Sequence, residues 1–172
     1  GKQEHRNVGE FRLAFHERGH VVAAALGHAD VGEEREVDAM FAATAERFGP
    51  ADVLVSNAGV GFHRALLDLG LADWERVLKV NLTGTFLCVQ RAARIMSARG
   101  SGSIIIMGST SGQRGAMART AYGVSKAGVM QLTRIAATEL GAHGVRVNAI
   151  APGPVTTPLS LKNHTAEQRR AY

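Results

Sequence analysis

The chain has 172 residues, of which 45% are apolar and 20% are charged, and its formal net charge at pH 7 is +5. This composition supports one good hydrophobic core, and no run of eighteen apolar residues predicts a transmembrane helix, so no membrane partner is expected. The basic residues are scattered and no aromatic residues interleave with them, which argues against a nucleic-acid partner. The single cysteine, Cys88, permits no intrachain disulfide and favours a reducing compartment, so a cytoplasmic protein is predicted. The seven histidines never pair at metal-ligand spacing, and no metal site is predicted.

The first third of the chain is predicted to contain two helices and two strands. Val8, Phe11 and Phe15 at helical spacing predict a helix over 4–18, with Gly19 as its C-cap. Apolar runs predict strands at 21–26 and 52–55. Between these strands, a helix is predicted over 33–48, where Gly49-Pro50 stops it.

The rest of the chain continues the alternation. Helices are predicted over 72–99 and 121–142, and strands over 103–107 and 145–150, the last broken by Pro152-Gly153-Pro154. Strands that alternate with helices predict an α/β fold, a parallel sheet with helices on both faces. In such sheets ligands gather at the carboxyl ends of the strands. Asp30, Asn57, Ser109 and Pro152-Gly153 each follow a predicted strand end.

A tyrosine and a lysine stand four residues apart in the predicted helix 121–142. Residues at i and i+4 share one helix face, so Tyr122 and Lys126 are expected to project side by side. A positive charge beside a phenol favours the phenolate, which suits acid/base chemistry. Ser109 precedes the tyrosine by thirteen residues and directly follows a predicted strand. A Tyr/Lys pair alone usually means surface packing, and the serine at its offset favours a catalytic group instead.

Asn81 lies in the apolar stripe of the predicted helix 72–99. Asparagine is a poor interior helix residue because its amide competes for backbone hydrogen bonds. It is therefore either a tolerated structural amide or a residue placed for use. With the Tyr/Lys pair in the same chain, use is the preferred interpretation.

Together these residues resemble the short-chain dehydrogenase/reductase family, from about Asp30 to Leu159. Two residue types depart from the family's usual pattern, Ser56 and Gly108, and neither removes a catalytic group. The motifs that carry the resemblance are Asn57-Ala58-Gly59, Asn81, Ser109, Tyr122-x-x-x-Lys126, and Pro152-Gly153 with Thr157 beyond it.

One departure is larger. The family opens with a strand and a glycine-rich turn, TGxxxGxG, that receives the cofactor pyrophosphate at a helix N-terminus, and this sequence contains no such turn. The expected fold is a Rossmann-like doubly wound parallel sheet that is incomplete in this chain. Residues 1–172 are expected to form a single Rossmann-like domain truncated at both ends, with residues 4–18 as the helix before the third strand.

The resemblance implies a role for each catalytic residue. Tyr122 would be the general acid/base, and Lys126 would hold the nicotinamide ribose and favour the phenolate of Tyr122. Ser109 would orient the substrate oxygen, and Asn81 would position a water beside Lys126 as a proton relay.

The cofactor implied is NAD or NADP, and the sequence leaves the choice open. Asp30 and Val31 would lie at the adenine, Asn57, Ala58 and Gly59 beside the ribose, and the 153–157 segment at the nicotinamide amide. The implied cofactor contacts on that segment and around it are Pro152, Gly153, Val155 and Thr157, joined by Tyr122 and Lys126.

The substrate implied is a small secondary alcohol or ketone, such as a 3-oxoacyl compound, a sugar or a polyol. Its pocket is expected to be lined by Ser111, Gln113, Arg114, Leu159 and Leu161. A homo-oligomer, dimer or tetramer, is also implied, because the family pairs the helices equivalent to 73–99 and 121–142 across a subunit interface.

Two other functions stay open. The missing glycine turn would fit a non-catalytic dinucleotide-fold module that only binds. A sugar-nucleotide epimerase would share the Tyr/Lys pair, although Asn57-Ala58-Gly59 and Pro152-Gly153 fit that class less well.

Overall fold

The computed structural model describes the backbone of residues 9–17 and 20–154 and the side chains of residues 29–154. Within these ranges the chain forms a two-stranded antiparallel sheet and a three-stranded parallel sheet with helices.

The antiparallel sheet consists of β1 (Gly9–Glu17) and β2 (His20–Ala29). Gly9 lies opposite Ala29 and Glu17 opposite His20, so the two strands pair along their whole length. The helix predicted over 4–18 is therefore wrong over residues 9–17, and this segment is not a helix before a third strand. Apolar residues recur at every second position here (Phe11, Leu13, Phe15), a strand period that the wider helical spacing concealed.

The strand predicted at 21–26 is present within β2, but its pairing differs from the expectation. It pairs with β1 in antiparallel order and makes no ladder with the parallel strands of the described chain. A hairpin partner close in sequence is available to β2, and antiparallel strands need only a short connection to pair.

The parallel sheet has the order β3-β4-β5, with β3 (Val53–Ser56), β4 (Gly102–Met107) and β5 (Val145–Ile150). The strand predictions at 52–55, 103–107 and 145–150 agree with these bounds to within a residue. Each parallel pair is joined by a helical crossover, which confirms the α/β, Rossmann-like prediction and a sheet that is incomplete in this chain.

The helices are α1 (Glu34–Phe48), α2 (Leu71–Leu78), α3 (Gly84–Arg99) and α4 (Thr120–Leu140). The helix predicted over 72–99 is present without a break in the chain but contains a π-helical turn, Lys79–Thr83, between α2 and α3. Short 3₁₀ turns lie at Leu66–Asp68, Thr110–Gly112 and Gly141–His143. No described helix combines the length and the apolar character that a membrane crossing requires.

Two glycines allow the connections before β4 and β5 to meet. Gly100 ends α3 with φ +72°, and Gly144 precedes β5 with φ +71°, a left-handed conformation that other residues rarely adopt. A Cβ atom at Gly144 would lie only 2.1 Å from the carbonyl oxygen of Gly100. Glycine is therefore required at position 144 for these two turns to lie so close together.

The core lies between one face of the parallel sheet and the helices. Buried strand residues such as Leu54, Ile104 and Val147 pack with α3 and α4 residues such as Met96 and Val129. Cys88 belongs to this core, as predicted, and burial raises the pKa of its thiol to about 11.

The opposite face of the sheet carries exposed apolar side chains in the described part of the chain. Val53 and Val55 alternate with the buried Leu54 and Ser56 along β3 and are 51% and 54% exposed. The prediction of helices on both faces is thus not met within residues 29–154, where the helices pack against one face. This arrangement matches the incomplete doubly wound sheet, since parallel sheets normally have both faces covered.

Candidate active site

The predicted site residues lie where the parallel strands end. Asn57 follows β3 directly, Ser109 follows β4 by two residues, and Pro152 follows β5 by two. Backbone hydrogen bonds hold the last two loops together: Gly108 N donates to Ile150 O at 2.8 Å, and Thr110 N donates to Pro152 O at 3.1 Å. The structure therefore brings these loops to the same edge of the sheet, as expected for parallel strands.

Asn81 is fully buried in the π-helical turn. Its Oδ1 accepts a hydrogen bond from Val60 N (2.8 Å), and its Nδ2 donates to Val60 O (2.9 Å) and to Ser125 Oγ (3.0 Å). The side-chain oxygen and both amide hydrogens thus have protein partners. Single-turn π-helices are frequent at functional sites, and this one turns the Asn81 amide toward the loop that follows β3.

Ser125 was not recognised from the sequence. Its hydroxyl accepts from Asn81 and donates to the carbonyl oxygen of Tyr122 at 2.7 Å, so it connects the buried amide to the backbone of the tyrosine. It is fully buried. The available signal was a small polar residue directly before Lys126, three residues after Tyr122.

Lys126 is only 5% exposed, although it carries an ammonium group. Its Nζ donates to Met107 O at 2.7 Å, at the end of β4, and lies 5.8 Å from the centroid of the Tyr122 ring. Tyr122 and Lys126 therefore lie side by side, as the i,i+4 spacing predicts. Burial lowers the pKa of the Lys126 ammonium to about 8, because leaving water disfavours the charged form.

The ring of Tyr122 is held by two contacts that the sequence did not indicate. A Cβ atom at Gly61 would lie 2.8 Å from Cδ2 of the ring, so the backbone at Gly61 packs directly on it. The guanidinium carbon of Arg119 lies 5.1 Å from the ring centroid, within cation–π range. Tyr122 is therefore fixed in position by Gly61, Arg119 and Lys126 together.

Ser109 is buried at the start of the 3₁₀ turn after β4. Its backbone is extended (φ −167°, ψ 152°), and its Oγ accepts a hydrogen bond from Ser111 N at 3.1 Å. This bond orients the hydroxyl at the strand end.

The residues expected to contact a cofactor fall into three groups along the chain: Asp30 and Val31, the loop 57–59, and the segment 152–157. Asp30 follows β2, and its Oδ1 accepts from Gly32 N at 2.9 Å, while Val31 packs against Gly84 at the start of α3. Pro152 and Gly153 pack beside Thr110. Val155 and Thr157, like the predicted pocket residues Leu159 and Leu161, lie outside the described residues.

The loop containing Asn57, Ala58 and Gly59 runs beside Lys126. A Cβ atom at Gly59 would lie 3.3 Å from Asn81 Oδ1 and 3.7 Å from Lys126 Nζ. The lack of a Cβ at Gly59 thus lets this loop approach the Asn81 amide and the buried cation closely, and that cation has further N–H donors. These features fit the ribose side of a dinucleotide. The pyrophosphate side would need the glycine-rich turn that this sequence does not contain.

Comparisons with known proteins identify the family of this chain. A family described as enoyl-(acyl carrier protein) reductase matches residues 10–172. A short-chain dehydrogenase/reductase of Armillaria gallica is 44% identical over 132 residues, which are 76% of this chain and 51% of that protein. The chain belongs to the short-chain dehydrogenase/reductase family.

Other members of the short-chain dehydrogenase/reductase family resemble this one to a similar degree. The cis-4-hydroxycyclohexanecarboxylate dehydrogenase of Sinomonas cyclohexanicum is 47% identical over 131 residues, 76% of this chain and 53% of that enzyme. The chain spans about half the length of the curated relatives it matches.

Two solved structures show the same fold. NAD⁺-bound xylitol dehydrogenase superposes with a TM-score of 0.74 at 34% identity, and covers 76% of this chain and 51% of its own. A gluconate 5-dehydrogenase from Burkholderia cenocepacia, in complex with NADP and tartrate, gives 0.73 at 34% identity with the same coverage.

We predict that Asn81→Ala lowers the free energy of unfolding by about 2–4 kcal/mol, because it leaves the buried polar groups of Val60 and Ser125 without their partner. The control is Asn148→Ala, on the exposed side of β5, which should change stability by less than about 0.5 kcal/mol. Urea unfolding of both variants measures the difference. Equal losses in the two variants would contradict a structural role for the Asn81 amide.

We also predict that Lys126 makes stability depend on pH. The folded-state pKa of about 8 lies below the ordinary lysine pKa of 10.5, so the unfolded chain binds more protons between pH 8 and 10.5. Stability contributed at this site is therefore low at pH 7 and rises with pH through this window, by up to about 3 kcal/mol. The unfolding free energy of the wild type minus that of Lys126→Met should rise by this amount from pH 7 to pH 10.5, because methionine does not titrate. A difference that stays constant over this range would show that the ammonium is not desolvated.

Proposed function

We propose that this chain supplies the catalytic half of an NAD(P)-dependent oxidoreductase that interconverts a secondary alcohol and a ketone, with Tyr122 as the general acid/base. The observation that carries the proposal is the buried ammonium of Lys126, 5.8 Å from the Tyr122 ring, at the carboxyl end of a parallel strand. A charged group is costly to bury, so such a group in a strand-end site indicates a function. The activities named for the relatives, which are dehydrogenases, support the same reaction class.

The proposed chemistry divides the work between the cofactor and the chain. The bound nicotinamide would supply or accept the hydride at the carbinol carbon. In the reductive direction the phenol of Tyr122 gives its proton to the substrate oxygen, and in oxidation the tyrosine takes that proton back. Ser109 binds the same oxygen through its hydroxyl and fixes its orientation.

Lys126 and Asn81 prepare the tyrosine for this step. The ammonium of Lys126, 5.8 Å from the Tyr122 ring centroid, offers donors to the ribose hydroxyls. Because the Asn81 amide is already bonded to Val60 and Ser125, we assign its side chain a positioning role. A relay water beside Lys126, as the family implies, would take its hydrogen bonds from other atoms.

The cofactor is proposed to be NAD or NADP, since the two solved relatives are described with one each. The contacts proposed are those expected from the sequence: Asp30 and Val31 at the adenine, Asn57 to Gly59 at the ribose, and Pro152, Gly153, Val155 and Thr157 at the nicotinamide.

Replacing Tyr122 with Phe should lower kcat about 10²–10⁴-fold, since it removes the proton donor but keeps the ring on Gly61. The assay follows NADH and NADPH absorbance with a panel of ketones and alcohols, using the gene product with any sequence encoded before Gly1 and after Tyr172. Calorimetric binding of the cofactor should be unchanged in the variant. Wild-type rates in Tyr122→Phe would refute the mechanism, and cofactor binding without turnover of any substrate would favour the binding-only alternative.

Self-association is part of the proposal. Phe86 on α3 and Val124 and Ile135 on α4 are 43–47% exposed, and exposed apolar side chains on neighbouring helices suit a subunit interface. Sedimentation velocity should show a dimer or tetramer that Ile135→Glu weakens toward the monomer, because an interfacial charge would be desolvated. A monomer at all concentrations would contradict it.

A further inference from the structure

The loop that leads from β2 into α1 is closed by its own hydrogen bonds. Glu33 N donates to Asp30 O at 3.0 Å, and Gly32 N donates to Asp30 Oδ1 at 2.9 Å. Asp30 N in turn donates to Glu36 Oε2 at 2.7 Å. Residues 30–33 therefore form one turn in which the carboxylate is fixed. We call this turn the adenine-side loop, because Asp30 and Val31 are the contacts proposed for the adenine.

The adenine-side loop packs against both ends of the π-helical turn that contains Asn81. Lys79 is the first residue of that turn, and a Cβ atom at Gly32 would lie 3.0 Å from its Cγ and 3.2 Å from its Cε. Gly84 directly follows the turn, and a Cβ atom there would lie 2.7 Å from Val31 Cγ2 and 2.9 Å from Val31 O. The loop and the helix thus meet closely at two places, each with a glycine on one side.

The π-helical geometry explains why Lys79 and Gly84 contact the same loop. In an α-helix, two residues five positions apart point about 140° away from each other, because 3.6 residues complete a turn. Here Gly84 N donates to Lys79 O, the i to i+5 bond of a π-helix, and this wider turn brings the two positions toward one side. Asn81, between them, binds Val60 and Ser125 instead.

An ion pair adds to the contact at Lys79. Its Nζ donates to Glu33 Oε1, and the two side chains are about half exposed. The hydrogen bond to Glu33 raises the pKa of the Lys79 ammonium, and the charge of Asp30 acts in the same direction. Half-exposed ion pairs add little to global stability, but a small free energy is enough to shift the conformation of a surface loop several-fold.

We propose that Lys79 is a positioning residue for the dinucleotide: through Glu33 and Gly32 it holds the adenine-side loop in the conformation that binds the adenine half of NAD(P). This inference rests on the proposed function, because it names a further determinant of the same cofactor site. The π-helical turn thereby orders two loops of that site, the loop after β3 through Asn81 and the loop after β2 through Lys79.

The test measures the binding of each half of the cofactor by calorimetry, on the gene product with any sequence encoded before Gly1 and after Tyr172. ADP-ribose carries the adenine half, and reduced nicotinamide mononucleotide lacks it. Lys79→Met keeps an unbranched side chain against Gly32 and removes the charge. It should weaken the binding of ADP-ribose, NADH and NADPH by about two- to fivefold, the range that a half-exposed ion pair supports. Binding of the mononucleotide should be unchanged, and turnover should show the same factor in KM for the cofactor with kcat unchanged.

Glu33→Gln separates a positioning role from direct contact between Lys79 and the cofactor. If the ion pair holds the loop, Glu33→Gln weakens ADP-ribose binding as much as Lys79→Met does, and the double variant binds no more weakly than either one. Exchanging the two charges, in the double variant Lys79→Glu with Glu33→Lys, should restore part of the affinity.

Arg91→Met and Glu34→Gln are the matched controls. Arg91, on α3, forms ion pairs with Glu34 at 2.6 Å and Asp38 at 2.5 Å on α1. These variants therefore remove charges between α1 and the same long helical segment, but away from the adenine-side loop. Both should keep the wild-type affinity for ADP-ribose. Circular dichroism confirms that each variant is folded, and Lys79→Gln replaces the methionine variant if that one is not.

Three results would overturn the inference. Unchanged ADP-ribose affinity in Lys79→Met, or equal losses in the two controls, would refute the positioning role while the oxidoreductase function stands. Weaker binding in Lys79→Met with unchanged or tighter binding in Glu33→Gln would show that Lys79 contacts the cofactor directly. No binding of any dinucleotide by the wild type would refute the proposed function and this inference together.

Discussion

The buried amide of Asn81 joins parts of the chain that are far apart in sequence. It binds both backbone polar groups of Val60, 21 residues away, and the hydroxyl of Ser125, 44 residues away. Burying an amide costs free energy unless each of its groups finds a partner, and here each one does. The rest of the site depends on this arrangement, because it fixes the loop after β3 against the helix that carries Tyr122 and Lys126.

A second constraint is the burial of the Lys126 ammonium. The strand end supplies one acceptor, Met107 O, and the loop at Gly59 packs close to the cation because glycine has no Cβ there. A pKa of about 8 keeps this group mostly charged at neutral pH while placing its titration near the working range of an enzyme. The lowered pKa of Lys126 follows from its burial between a parallel strand and the helix.

The two sides of α4 carry different sets of residues. Tyr122, Ser125 and Lys126 lie toward the strand ends and Asn81, whereas Thr120, Gly123 and Ala127 line a groove between α4 and the loop after Ser109. Arg119, one turn before Tyr122, lies within cation–π range of the tyrosine ring.

The sequence by itself determined the alternation of strands and helices from α1 onward, the position of Ser109 at a strand end and the common face of Tyr122 and Lys126. These features are local: they follow from apolar periodicity and from the i,i+4 geometry of a helix. The same local reasoning failed for residues 9–17, where two periods competed and pairing with β2 decided in favour of a strand.

Only the tertiary structure decided the π-helical turn at Asn81, the role of Ser125, and the contacts of Gly61 and Arg119 with the tyrosine ring. Each depends on residues from separate elements meeting in space, and no spacing within one element contains that information. The strained turn at Ala118 belongs here too, because a left-handed alanine persists only where neighbouring loops hold it.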